Sequence, residues 1–129
     1  MITDSIFLLV LLSGAAGALV RFGLSRAIPV ADRPHNVPRA VLIVNVVGSF
    51  LAGVALALTQ TEVIPAVAGV MIITGLCGGL TTFSTFAVET VELVMQGRAR
   101  VAARSIALNL VLGVAAAALG YLPTLVFAF

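Results

Sequence analysis

The sequence predicts an all-α membrane protein with four transmembrane helices. Of its 129 residues, 61% are hydrophobic and only 9% are charged, whereas an average soluble domain has roughly 25% charged residues. Cutting the chain at charges, prolines and polar clusters leaves four apolar blocks, each near the ~20 residues that cross a bilayer as a helix. The chain is too short for two ordinary domains, so we expect one membrane domain in a lipid bilayer.

The four predicted helices occupy residues 5–26, 40–61, 63–93 and 105–129. The first opens near Asp4 without a basic leader region, so we interpret it as a retained helix and not as a cleaved signal peptide. A connector with three prolines, 29–39, predicts a loop. Glu62 and Pro65 mark the next turn, and the polar run 96–104 marks the last.

The arginines indicate which way the helices face. All seven basic residues are arginines, and they lie in or beside the loops 29–39 and 96–104, which four spans place on one side of the membrane. Positive-inside bias predicts that this side is cytoplasmic and that both termini are outside. The expected location is the cell inner membrane, which the chain crosses several times.

Small and polar residues follow one face of three predicted helices. Such stripes are typical of close helix packing, in which serine and asparagine supply interhelical hydrogen bonds. For asparagine a functional role is equally open, because a carboxamide carries two donors and an acceptor oxygen. For an arginine one turn inside a helix end, the alternative is a stem that reaches the interface. The stripes are Ser13, Gly17 and Arg21; Asn45, Ser49 and Gly53; and Ser105, Asn109 and Gly113.

The segment GGLTTFSTF, residues 78–86, predicts a break in the third helix. Gly75, Gly78 and Gly79 disfavour a continuous helix, and Thr81 and Thr82 can bond to backbone carbonyls. Broken backbone is tolerated inside a membrane only where protein buries it or where it lines a polar cavity. Its freed carbonyl oxygens suit a hard cation.

Beyond the predicted break, Phe83 and Phe86 are three residues apart and project from one side of the renewed helix, with Thr82 and Thr85 on the flank. The edge of a phenyl ring is positive, so edge-on rings can hold an anion weakly. Weak binding is what conduction requires, because an ion held tightly cannot leave. For an isolated pair of rings, simple packing between helices is the more common role.

The segment GGLTTFSTF followed by AVET resembles the third helix of the Fluc (CrcB) family of fluoride channels, and GALVRFGLSR and NVVGSFLAG are similar to its first two helices. The resemblance implies an antiparallel, dual-topology homodimer with two fluoride pathways and one structural sodium ion at the interface. It assigns the sodium ligands to the backbone carbonyls of Gly78 and Thr81 in both subunits. It also assigns the pore rings to Phe83 and Phe86 and the pore amide to Asn45, and it matches Arg21 to the arginine of the first helix.

Fluoride is tightly hydrated, so donors must replace its water along the route. On the fourth helix some members of the family carry hydroxyls where this chain has Ser105, Asn109 and Gly113, and glycine has no donor. Glu89, near the end of the third helix, could pair with an arginine of the next loop. The candidate donors are Asn45, Thr82, Thr85 and Asn109, with the edges of Phe83 and Phe86 between them.

The expected function is a passive, fluoride-selective channel that exports fluoride. The alternative is a proton-coupled four-helix exporter of small solutes, which needs a carboxylate inside the membrane; Glu89 lies near a helix end. The one-sided arginines leave two partners open, a second copy of the chain or an oppositely oriented relative. No catalytic triad, metal cluster or phosphate loop is visible, so neither an enzyme nor a nucleic-acid partner is expected.

Overall fold

The computed structural model describes residues 2–28 and 37–127. Within them every element is helical, and four segments are long and apolar enough to cross a membrane. The all-α prediction with four spans is therefore confirmed. The helices are α1, Ile2–Ala27; α2, Arg39–Gln60; α3, which joins Ala66–Val70, Met71–Cys77 and Gly78–Leu80; α4, Ser84–Met95; and α5, Ala99–Phe127. Together α3 and α4 form the third span, Ala66–Met95.

A helix can extend beyond its apolar block into the charged residues beside that block. Helix α5 begins at Ala99, six residues before the predicted start, and its first turns contain Arg100 and Arg104. Arginine has a high helix propensity, so a helix can continue past the apolar length that the sequence pattern detects. Pro29 and Pro34 of the connector and the end of the fourth block, 128–129, lie outside the described residues, whereas Pro38 directly precedes α2.

Helix α1 packs against α3 through backbone contacts, and the two helices run in parallel. A Cβ atom on Gly17 would collide with the carbonyl oxygen of Leu76, and one on Gly79 would collide with that of Gly14. The Ser13 hydroxyl donates to the carbonyl of Met71 at 2.7 Å. The first predicted stripe is thus the surface on which α3 rests, as small residues permit in membranes.

Helices α2 and α5 pack against each other in parallel, and at one end of the contact the facing residues are 64 apart in sequence. Asn45 bonds to Asn109, and a Cβ atom added to Gly113 would lie 3.6 Å from the Ser49 hydroxyl oxygen. A Cβ atom on Gly53 would collide with the carbonyl of Ala117. The stripes of the second and fourth spans therefore face each other, with the two asparagines at one end of the contact.

The third span breaks inside the predicted segment 78–86, as expected, but its glycines stay helical. Gly75 lies in a π-helical stretch, Met71–Cys77, and Gly78 and Gly79 continue as α-helix. Close packing on α1 occupies Gly75 and Gly79 and keeps the chain coiled there. The break lies one turn later, at residues 81–83.

Candidate functional site

The break begins where Thr81 leaves the helix. Its backbone is extended, with φ −77° and ψ 160°, while its N–H and its hydroxyl both donate to the carbonyl of Cys77, at 2.9 and 2.8 Å. The Thr81 methyl group packs against Gly48, where a Cβ atom would collide with it. Helix α2 therefore supports the break from one side.

Asn45 on α2 pairs with both backbone groups of the next residue, Thr82. Its Oδ1 accepts the Thr82 N–H at 2.8 Å, and its Nδ2 donates to the Thr82 carbonyl at 3.2 Å. The same Nδ2 donates to Oδ1 of Asn109 at 3.0 Å. Asn109 in turn donates to the carbonyl of Ser105 at 3.0 Å. Three spans thus meet here, because Asn45 of α2 binds the Thr82 backbone of the third span and Asn109 of α5 binds Asn45.

The hydroxyl of Thr82 starts helix α4. It accepts the N–H of Thr85, the second residue of α4, at 3.2 Å, the kind of bond by which a threonine hydroxyl satisfies a free N–H in the first turn of a helix. It also donates to the Thr85 hydroxyl at 3.1 Å and lies 3.3 Å from the hydroxyl of Ser84. Three hydroxyls therefore cluster at the positive end of a helix dipole.

Phe83 and Phe86 stand beside each other at the start of α4, as the spacing predicts. Their ring centroids are 6.0 Å apart and the planes are tilted by 51°, within the range of attractive aromatic pairs. Phe86 is half-buried, whereas Phe83 is 79% exposed in the single chain. Such a large apolar ring needs lipid or another protein chain to cover it.

These side chains meet in an open cavity of about 450 Å³, which we call the central cavity. It brings together five of the six predicted pathway residues, and the sixth, Thr85, lines a different cavity. Ser105, which was expected to support the pathway, is buried at 3% exposure. Ile106 and Leu110, four residues apart on α5, also line the central cavity and were not predicted; Ile106 shares the helix face of Asn109 at three-residue spacing. The lining is Asn45, Ser49, Thr81, Thr82, Phe83, Phe86, Ile106, Asn109 and Leu110.

A second cavity, of about 360 Å³, lies at the arginine-rich end, and we call it the end cavity. Glu89 shares it with Arg39 and Arg98, the surroundings expected for a carboxylate near a basic loop. Thr85 also lines it, and the Thr85 hydroxyl accepts from Thr82 in the central cavity. The two cavities are therefore joined by one hydrogen bond between hydroxyls.

The carbonyls assigned to sodium lie at the end of α3. In a continuous helix the Gly78 carbonyl would accept the N–H of Thr82, but here that N–H donates to Asn45. The Thr81 carbonyl accepts from Nη1 of Arg21 at 3.2 Å. Carbonyl oxygens of this kind fit a hard cation, but Arg21 already places a positive charge beside one of them. Arg21 thus bonds to the break, and the alternative of a stem that only reaches the interface is not what the structure shows.

Comparison with known proteins places the chain in a family. Residues 8–121 match the family described as CrcB-like protein, Camphor Resistance (CrcB). A fluoride-specific ion channel FluC of Renibacterium salmoninarum is 45% identical over 115 residues, covering 84% of this chain and 90% of the relative. FluC 1 of Yersinia pseudotuberculosis is 43% identical over 104 residues, covering 79% and 80%. With the broken third span, these matches confirm the resemblance: the chain belongs to the CrcB family.

Proposed function

We propose that the chain forms a passive, fluoride-selective channel that exports fluoride across the cell inner membrane. The observation that carries the proposal is the central cavity, where a broken span, an asparagine amide, threonine hydroxyls and two phenyl rings meet. Relatives at 45% and 43% identity are named fluoride-specific ion channels. Small, neutral donors can replace the hydration of an anion without binding it too tightly to leave.

The proposed route uses both cavities. The route follows the edges of Phe83 and Phe86 in the central cavity and the hydroxyls of Thr82 and Thr85 between the two cavities. A hydroxyl rotates freely about its C–O bond, so each can turn its proton toward the passing ion. Thr85 connects this route to the end cavity, where Arg39 offsets the charge of the glutamates; with the arginine loops in the cytoplasm, an exported ion enters there.

The active unit we propose is an antiparallel dimer. Phe83 is 79% exposed, and Thr74 and Gly78 are exposed on α3 one turn apart, so a polar and aromatic surface of the third span is left for a partner. A second copy would bring the carbonyls of Gly78 and Thr81 from two chains together around a sodium ion. An oppositely oriented relative could supply the same surface, which would suit the one-sided arginines.

Fluoride efflux from liposomes tests the channel. Vesicles loaded with potassium fluoride and containing the purified protein should release fluoride at channel rates, and vesicles loaded with potassium chloride should retain chloride. Protein-free vesicles give the background leak. Equal release of the two halides, or no release of fluoride above background, would refute the proposal.

The proton-coupled exporter remains as the competing function because Glu89 is half-buried and lines the end cavity. A coupled carrier must protonate and release such a carboxylate in each cycle. Fluoride flux through a channel should not change when a pH gradient is imposed across the vesicle membrane. Flux that follows the proton gradient would favour the exporter.

Cysteine labelling distinguishes the two partners. Cys77 is the only cysteine and is buried, so a Cys77→Ala chain offers a clean background for Gln96→Cys in the exposed turn after α4. Labelling of half the protein from each side of the membrane would indicate both orientations, as a homodimer requires. Labelling from one side alone would indicate a partner of a different sequence.

A further inference from the structure

Both amide hydrogens of Asn45 are already used inside the protein. Its Nδ2 donates to the Thr82 carbonyl at 3.2 Å and to Oδ1 of Asn109 at 3.0 Å, and a carboxamide has only two hydrogens to give. Its Oδ1 accepts the Thr82 N–H at 2.8 Å. An ion could take a hydrogen from Asn45 only by breaking its bond to the Thr82 carbonyl, which holds the third span open, or its bond to Asn109.

The Thr82 peptide depends on this pairing. Thr82 is buried at 7% exposure, and an unpaired backbone group costs several kcal/mol in a membrane, on the order of the water-to-hydrocarbon transfer values. Helix α3 has ended before Thr82, so the partners come from another span. One amide edge binds both the N–H and the C=O of one residue, as a neighbouring strand would.

Asn109 is placed differently. Its Nδ2 donates to the carbonyl of Ser105, one turn back on its own helix, at 3.0 Å. Its Oδ1 is fixed by Asn45. The amide has a second hydrogen beyond the one given to Ser105, and Asn109 lines the central cavity. That hydrogen can meet an ion without disturbing the break.

We propose that Asn45 is a positioning residue that clasps the Thr82 peptide, and that Asn109 supplies the amide hydrogen that contacts the anion. The assignment rests on the proposed fluoride channel, but the clasp itself can be tested without any ion. Asn45 also orients Asn109 through the hydrogen bond between them. Asn45 therefore holds the Thr82 backbone in place, and Asn109 faces the ion.

Side-chain amide NMR separates the two roles. The chain has three asparagines, Asn36, Asn45 and Asn109, so protein labelled with ¹⁵N in the asparagine side chain gives three amide pairs. Asn45→Ala and Asn109→Ala assign two of them. Replacing sodium chloride by sodium fluoride should shift the Asn109 pair more than the Asn45 pair. An equal or larger shift at Asn45, or no shift at either residue, would overturn the proposal.

Flux kinetics give a second measure. Asn109→Ala should raise the fluoride concentration for half-maximal efflux about tenfold, the effect of one lost hydrogen bond of about 1.4 kcal/mol, and Asn109→Ser should recover most of the affinity. Asn45→Ala should lower the maximal rate without such a rise. An unchanged half-saturation in Asn109→Ala, or a rise in Asn45→Ala alone, would overturn the assignment.

Hydrogen exchange tests the clasp in the absence of fluoride. The Thr82 backbone amide should be protected in the natural chain and in Asn109→Ala, and exposed to exchange in Asn45→Ala. Protection that survives Asn45→Ala would overturn the positioning role. Should the natural chain pass no fluoride, the channel proposal fails, while this exchange result still decides what Asn45 does.

Discussion

Replacing Thr82 by valine removes one of the two hydroxyls that join the cavities of the proposed route and keeps the side-chain shape. In the folded chain the hydroxyl accepts the Thr85 N–H at 3.2 Å and donates to the Thr85 hydroxyl at 3.1 Å. The lost cap alone destabilises a helix by about 1 kcal/mol. A hydrogen bond to a charged partner is worth about 1.5–3 kcal/mol, so its loss at the barrier should slow fluoride about ten- to a hundredfold.

The assay is initial fluoride efflux from liposomes at equal protein density. Thr90→Val is the matched control. Among the described residues the Thr90 hydroxyl bonds only back to the Phe86 carbonyl of its own helix, at 2.7 Å, and Thr90 lines neither cavity. The control should pass fluoride at the natural rate, and Thr82→Ser, which keeps a hydroxyl, should retain most of it. Thr82→Val at the natural rate, or an equal loss in Thr90→Val, would refute the hydroxyl route.

Three further changes test other parts of the site. Gly79→Ala should lower the melting temperature in detergent, because its Cβ atom collides with the α1 backbone and overpacking costs about 1–3 kcal/mol. Gly113→Ala should not lower it, because its Cβ atom makes only an ordinary contact at 3.6 Å. Equal melting temperatures for the two variants would contradict the packing argument. Phe83→Ile and Phe86→Ile keep bulk but lose the positive ring edge, so each should reduce fluoride efflux, and unchanged efflux in both would exclude the aromatic contribution. Arg21→Gln removes a positive charge beside the Thr81 carbonyl, so a sodium ion at that carbonyl should bind more tightly. The rise in melting temperature with sodium, measured against choline, should then saturate at a lower sodium concentration; saturation at the same or a higher sodium concentration would argue against sodium at that carbonyl.

The sequence predicts the four spans and the packing stripes because both follow from local periodicity. Small residues at four-residue steps bury one helix face, whatever the partner is. The partner of each stripe is not written in the pattern. That Asn45 and Asn109 meet depends on the register between α2 and α5, a contact between residues 64 apart.

The position of the break shows where local reasoning fails. Glycines at residues 75, 78 and 79 predict an uncoiled backbone by propensity, yet two of them, Gly75 and Gly79, make the close contact with α1 and stay helical. Thr81 and Thr82 leave the helix because Asn45, on another span, pairs with the freed peptide. Propensity identified a weak segment, and a distant side chain decides which residues open.

Current across a planar bilayer tests the central claim most directly. With a tenfold fluoride gradient, a passive fluoride channel must reverse at the fluoride equilibrium potential, about 59 mV for a singly charged ion, and the value must stay there when a pH gradient is added or chloride is placed on one side. A reversal potential that moves with the proton or chloride gradient would contradict a passive, fluoride-selective pore through the broken span.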